Sequence, residues 1–374
     1  MGATIGRASR QLVQRTPERE SWVRRVILGE LAHRAATRGP AHWAEVGRGL
    51  TAEEQADRRI ARMIARATVA GAAAAAGASV AEIASAGTEG AAAPVAVPLG
   101  LLAIGADVLY TTALQIELAF DLASIYGVPL AEDDVGEVAA LLGMTHGVDL
   151  TIAAEEDATT PWRAVELMYR NDFADAIGRV LARNGIARNA VPIAGVLVGA
   201  LLGRLQLRRY AWCVHMAVRH RREIARVCRR ADFDPRSART VVEGAWLIAS
   251  ACGPLAHGHA LALSVLIDVL GLREGATVSE TRDADDDEAW LAEAGSLPPP
   301  ERAALFAILV LVASADGRID AFEGRFLRRV ARAFERDLDM RAIQRHCARL
   351  WGEAPTRWSP VRPFGTHGWA PARA

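Results

Sequence analysis

Trp22, Val23, Val26, Ile27 and Leu31 stand apolar within an arginine-rich stretch, and their spacing of three and four puts them on one helix face. From about Ala56 to Ala86 the pattern predicts a longer helix. Ile60, Met63 and Ile64 lie before an Ala/Gly/Ser run, Gly71 through Gly77, and Val80 and Ile83 lie after it, so this helix should pack at close range. Ala91 to Ala106 is apolar, broken by Pro94, Pro98 and Gly100 and closed by Asp107. It falls short of the ~20 apolar residues that a membrane-spanning helix needs. Val191 to Leu202 is shorter still, and Gly195, Gly199 and Gly203 repeat a G-x-x-x-G spacing that lets another backbone come close. We read it as a tight core. Arg208 to Arg230 predicts a basic amphipathic helix with Tyr210, Val214, Ala217, Ile224 and Cys228 as its apolar stripe, ended by Asp232-Phe233-Asp234-Pro235.

The second half says one phrase twice. Ala249-Ser250-Ala251-Cys252-Gly253 returns 64 residues later as Ala313-Ser314-Ala315-Asp316-Gly317. Leu255 and His259 then fall under Ile319 and Glu323, and Leu263 and Leu266 fall under Leu327 and Val330. Each copy reads as an apolar helix, a break at glycine and a second amphipathic helix. Two such pairs predict an all-helical module with a pseudo-twofold axis near the two loops.

Composition narrows the classes. Hydrophobic content of 51% with a formal net charge of +0 describes a chain with a large core, and 6% aromatic residues with abundant Ala suit closely packed helices. All 44 basic residues are Arg, so a Walker A phosphate loop and Schiff-base chemistry, which both need Lys, are excluded. Cys213, Cys228, Cys252 and Cys347 form no C-x-x-C pair, and with no secretory signal they read as reduced thiols in a cytoplasmic protein. The acidic run between Glu280 and Glu288 reads as a solvated linker.

Two family resemblances follow from these motifs. Pro98-Leu-Gly-Leu-Leu-Ala-Ile-Gly-Ala-Asp107, then Leu114-Gln115-Ile116-Glu117-Leu118 and Ile125-Tyr126-Gly127, resemble the EcsC protein family. Val191-Pro192-Ile193-Ala194-Gly195 with the helix after it resembles that family's later segment, so the likeness spans about 56–230. Ala315-Asp316-Gly317-Arg318-Ile319-Asp320, completed by Glu323, resembles the TerB-like superfamily. Those are all-helical domains associated with tellurite resistance and with the N-terminal part of a membrane-tethered co-chaperone. With both copies counted this second likeness covers about 238–350; the first copy departs from it at Cys252, Ala256 and His259. The resemblances imply regulators, stress-response factors or membrane-proximal adaptors without a defined catalytic mechanism.

The acidic loop has two readings. Asp316, Asp320 and Glu323 could ligate a hard divalent cation, although an EF-hand fails because Val312 would be its first ligand. Helix chemistry explains most of the same residues: Gly317 ends one helix, Asp320 caps the next and Glu323 closes a capping box. Asp316 is left over. In the first copy Ala256 cannot cap, while Cys252, His257 and His259 offer softer ligands at an unusual spacing for zinc. If the pseudo-twofold brings the loops together, Cys252 or His259 faces Asp316 and Glu323.

The expected architecture is all-α with two helical domains. An Arg-rich extension (1–55) precedes an EcsC-like domain (56–235), a TerB-like domain (238–350, with an acidic linker at 280–290) and an irregular tail (351–374). The expected function is non-catalytic regulation or scaffolding on a membrane surface or membrane protein at the cytoplasmic face. Arg208, Arg219, Arg222, Arg226 and Arg229 are the candidate surface for anionic lipid or a partner. The alternative is a metal-binding stress-response protein using Asp316, Asp320, Glu323, Cys252 and His259. A hydrolase ranks third, because no elbow serine or paired cysteine motif is present. Nucleic acid is disfavoured, since no basic motif interleaved with aromatics occurs.

Overall fold

The computed structural model describes residues 21–87, 93–130, 134–148, 150, 160–189, 195–250, 255–272 and 287–352. Among them are fourteen helices and no strand. In chain order these are α1 (Trp22–Thr37), α2 (Pro40–Val46), α3 (Ala52–Gly87), α4 (Ala93–Ile125), α5 (Val135–His146), α6 (Pro161–Tyr169) and α7 (Asn171–Asn189). Then follow α8 (Gly195–Ala231), α9 (Pro235–Ser250), α10 (His257–Val269), α11 (Asp287–Gly295), α12 (Pro299–Ala313), α13 (Ala321–Ala333) and α14 (Met340–Gly352).

The chain forms two compact units. Of the described residues, those within 1–148 and 171–214 belong to the first, and those within 149–170 and 215–356 belong to the second. The helices near the N-terminus thus pack into the first unit, and the division falls inside α8. Residues 1–20, the acidic stretch 280–286, Cys252 and the tail from 353 lie outside the described residues.

The first unit is built on the long hairpin of α3 and α4, 36 and 33 residues respectively, with α1, α5 and α7 packed around it. Leu114, Ile116, Leu118, Ala119, Leu122 and Ala123 are all fully buried or nearly so. Apolar residues on every side mark α4 as a central helix rather than a half-exposed one. One structural outcome differs from the sequence expectation. Pro94, Pro98 and Gly100 do not break the chain, and Asp107 does not close a segment; α4 runs through all of them. Pro94 sits in the first turn, where a backbone N–H has no helical partner to lose, and the buried run from Leu114 onward carries the helix despite the cost at Pro98. The stretch Gly105–Ile125 is long and apolar enough to cross a membrane by length and composition, and most of it is buried within the unit.

The small-residue spacing acts as expected. Gly199 and Gly203 of α8 lie directly on α3: a Cβ built on Gly199 would stand 2.6 Å from the Gly71 carbonyl oxygen, and one on Gly203 would stand 2.8 Å from that of Ala67. Backbone meets backbone here.

In the second unit, α9 packs on α10, α11 and α12, and α12 packs on α13. Trp290 of α11 lies over Gly244 of α9, where no Cβ fits. Its Nε1–H donates to the Thr240 carbonyl at 3.0 Å, and its ring lies 5.6 Å from that of Phe326. Adding the 64-residue offset to Pro235 and to His257–Val269 lands on 299 and on 321–333, the start of α12 and both ends of α13. The paired Leu263/Leu327 and Leu266/Val330 are all fully buried.

Replacing Gly199 by Ala should destabilise the chain by about 1–3 kcal/mol, because backbone atoms rather than flexible side chains must give way. Gly105→Ala, where a Cβ meets nothing within 4 Å, should be neutral or slightly stabilising. Urea denaturation of both variants checks this; equal midpoints for the two would contradict the close approach.

Candidate functional site

The site grows out of the break between α12 and α13. α12 stops at Ala313, and the Ser314 hydroxyl turns back to donate to the Leu311 carbonyl at 2.9 Å. Gly317 takes φ +94°, a left-handed conformation that side chains rarely adopt, and its N–H donates to the Ser314 carbonyl at 3.0 Å. Asp320 then opens α13. Its Oδ1 accepts from the N–H groups of Phe322 (2.7 Å) and Glu323 (2.9 Å), while Glu323 Oε2 accepts from the Asp320 N–H at 2.8 Å. This is a complete capping box. At the corresponding start of α10, Ala256 makes no side-chain cap.

Glu323 is nevertheless only half used by the cap. Its other oxygen, Oε1, lies 3.2 Å from His259 Nε2, and both side chains are almost wholly removed from solvent. The separation is that of an ion pair. The ring nitrogen is not aligned for a good hydrogen bond and has no other. The two loops also touch through backbone: Gly258 lies against the Ala315 carbonyl so closely that a Cβ would come within 2.1 Å of its oxygen. His259 and Glu323 are the positions that the 64-residue offset equates, and they face each other.

Asp316 and Cys347 complete the group. Asp316 is half-buried, and its Oδ1 accepts from the Arg318 N–H at 3.1 Å, a turn contact that leaves its second oxygen uncommitted to the helix caps. Burial pushes its carboxyl above the ordinary value despite His259 and Arg318 nearby, and Asp320 adds to the rise. Burial likewise raises Glu323, with Asp316 adding to the rise and His259 opposing it. The buried Cys347 thiol of α14 is pushed up to about 11 by burial and then by Asp316 and Glu323. The junction therefore gathers two carboxyls, with His259 and the Cys347 thiol beside them. No three of these four groups have donor atoms that all lie within 4.8 Å of one another, so they form an open donor set and not a closed cage. The residue types suit a borderline divalent ion such as zinc, which takes imidazole, thiolate and carboxylate together.

The remaining candidates are placed as follows. Asp320 is engaged in the cap. Cys252 lies outside the described residues. Arg208 and Arg219 are half-buried on α8, whereas Arg222, Arg226 and Arg229 are exposed and Arg226 pairs with Glu223. Two participants were missed in the sequence. Cys347 lies beyond the repeated phrase, and His220 of α8 places Nε2 3.3 Å from the Ser314 hydroxyl. Burial pushes His220 down to about 4, so it is neutral at physiological pH. His146, in the first unit, is also held near 4 by burial, with the amides of Gln115, Asn184 and Gln206 at 3.4–3.5 Å. An imidazole ringed by amides has no nucleophile to activate.

The fold and site thus define an all-helical protein with a carboxylate–imidazole junction where two helix pairs meet. Residues 272–345 match the family model described as Tellurite resistance protein TerB. The match takes in α11, α12, α13 and the first half of α14, roughly a fifth of the chain, so the second unit contains a TerB-like helical domain. It begins after α10, leaving the first helix pair outside it, and no comparison supports the EcsC resemblance read over 56–230. No curated protein and no solved structure matched the chain.

The raised carboxyl at Asp316 has a signed consequence. The folded chain favours its protonated form, so the stability this group contributes is fully present below the ordinary value of 3.8 and is lost as pH rises through the shifted value. Asp316→Asn keeps the acceptor for the Arg318 N–H and removes the charge. It should raise the melting temperature at neutral pH, with the gain shrinking as pH falls toward 4. Thermal scans across pH check this, and a variant less stable than wild type at pH 7 would refute the sign.

Proposed function

We propose that the protein is a non-catalytic regulatory factor of the tellurite-resistance type, whose second unit takes up a divalent metal ion at the junction of His259, Asp316, Glu323 and Cys347. The observation that carries this reading is the buried His259–Glu323 contact at 3.2 Å. The cap accounts for Asp320 and for one oxygen of Glu323. It does not account for a histidine at the equivalent position of the other pair, aimed at the remaining oxygen, nor for Asp316 and Cys347 beside it. A cation would neutralise this group and tie α10, α13 and α14 together, so binding would stabilise the unit by mass action. The TerB match supports the class of function, either tellurite-resistance-like as its description states or of the co-chaperone type that the same superfamily resemblance implies. Metal analysis and calorimetric titration with Zn2+, Mn2+ and Mg2+ test the proposal. One divalent ion per chain, lost in Asp316→Ala/Glu323→Ala, is expected; no uptake by wild type, or uptake unchanged in the double variant, would overturn it.

A second reading, docking on an anionic membrane or membrane protein, rests on a separate observation. Leu197, Leu201 and Leu205 are exposed at four-residue spacing on α8, Leu202 is exposed beside them, and Arg204 is exposed on the same turns. An apolar stripe flanked by arginine is the composition of an interfacial helix. Co-sedimentation with phosphatidylglycerol vesicles should be salt-sensitive and weakened by Leu201→Asp; no binding at low salt would remove this reading.

A further inference from the structure

The first unit holds a second charged cluster that neither reading uses. Glu117 of α4 is buried, 3% exposed at its side chain, and four guanidiniums converge on it. Arg59 and Arg66 come from α3, and Arg34 and Arg38 from α1. Oε1 meets Arg38 Nη1 at 3.1 Å, Arg59 Nη2 at 2.5 Å and Arg66 Nη1 at 3.1 Å; Oε2 meets Arg34 Nη2 at 3.0 Å and Arg66 Nη1 at 3.1 Å. Asp121, one turn along α4 and fully buried, takes Arg59 through Nε at 2.6 Å. Glu30 reaches Arg34 at 3.4 Å. Burial pushes Glu117 up, but Arg34, Arg59 and Arg66 together hold it below its ordinary value.

The arginines are not equally served. Arg59, 6% exposed, has two carboxylates and lies over the Trp43 ring at 5.5 Å. Arg34, 13% exposed, has Glu117 and Glu30. Arg38 and Arg66, 37% and 38% exposed, both rely for carboxylate contact on Glu117, which the buried pair already engages. A carboxylate offers about four lone-pair directions, and here it receives five contacts. Four cations face three carboxylates, and the surplus lies on the solvent side. Arg38 Nη1 and Arg66 Nη1 each stand 3.1 Å from one oxygen, so they are no more than about 6 Å apart. Two neighbouring guanidinium forks with excess positive charge are suited to a tetrahedral dianion, whose oxygens accept from both forks at once.

We propose that Arg38 and Arg66 form a binding site for a phosphate monoester group, with Arg34, Arg59, Glu117 and Asp121 as its buried frame. Glu117 holds the two forks side by side, and the incoming phosphate takes over the donors that Glu117 shares poorly. The group could be carried by a small phosphorylated molecule or by a phosphatidic acid headgroup; the chemistry at the forks is the same.

The test is calorimetric titration of the full chain with inorganic phosphate against chloride at matched ionic strength. Saturable binding at one site is expected. It should weaken at least tenfold in Arg38→Gln/Arg66→Gln, which retains Arg34 and Arg59 over the two buried carboxylates, and less in Arg38→Lys/Arg66→Lys, which keeps charge but loses the forks. Vesicles separate the sources. Binding to phosphatidic acid vesicles that free phosphate competes away, and that Arg38→Gln/Arg66→Gln loses while Leu201→Asp keeps it, identifies the headgroup; binding of free phosphate alone identifies a soluble ligand. No saturable phosphate binding by wild type would overturn the proposal whatever the variants do, and so would a folded Gln variant that binds as wild type.

Discussion

The second unit depends on how it tolerates a carboxylate and an imidazole buried against each other. Removing an ionisable group from water is costly unless a partner compensates, and removing one partner of a buried pair is costly again. Glu323 meets that constraint with two oxygens in different roles: Oε2 closes the capping box that starts α13, and Oε1 faces His259. Helix geometry thus fixes where the carboxylate sits, and α10 supplies the imidazole that faces it. The contact between Gly258 and the Ala315 backbone allows the approach, since any larger residue at 258 would hold the loops apart.

The first unit meets a similar demand with arginine. Glu117 and Asp121 are buried on a largely apolar helix, and the guanidiniums of α1 and α3 neutralise them. With no Lys in the chain, every cation available is a planar fork able to bridge two acceptors. Arg59 does this between Glu117 and Asp121. The two units therefore contrast in sign: the junction around Glu323 gathers acidic groups beside one imidazole, and the cluster around Glu117 gathers guanidiniums in excess of their carboxylates.

Much of the helical order was legible because it is local. The 64-residue echo anticipated where the paired helices start and stop, since the apolar pattern recurs at the same offset, and Asp320 with Glu323 announced the start of α13. The small residues at 199 and 203 announced close packing without naming the partner, which the structure supplies as Gly71 and Ala67. What escaped the sequence was pairing over distance. Cys347 lies outside the repeated phrase, so nothing in the repeat pointed to it. Arg34 and Glu117 are 83 residues apart, and periodicity along one helix carries no information about which charge on another will meet it. Pro98 and Gly100 misled for the opposite reason: local breaking signals were overridden by the burial of the rest of α4.

If His259 and Glu323 act as one unit in holding a cation, a double-mutant cycle on divalent metal affinity will show it. Glu323→Gln is the suitable partner to His259→Ala, because a glutamine at the third helical position still completes the capping box while losing the charge. The account predicts strong coupling: each single substitution removes most of the affinity, and the double variant is scarcely weaker than either. Losses that add independently, or affinity unchanged in both single variants, would contradict it.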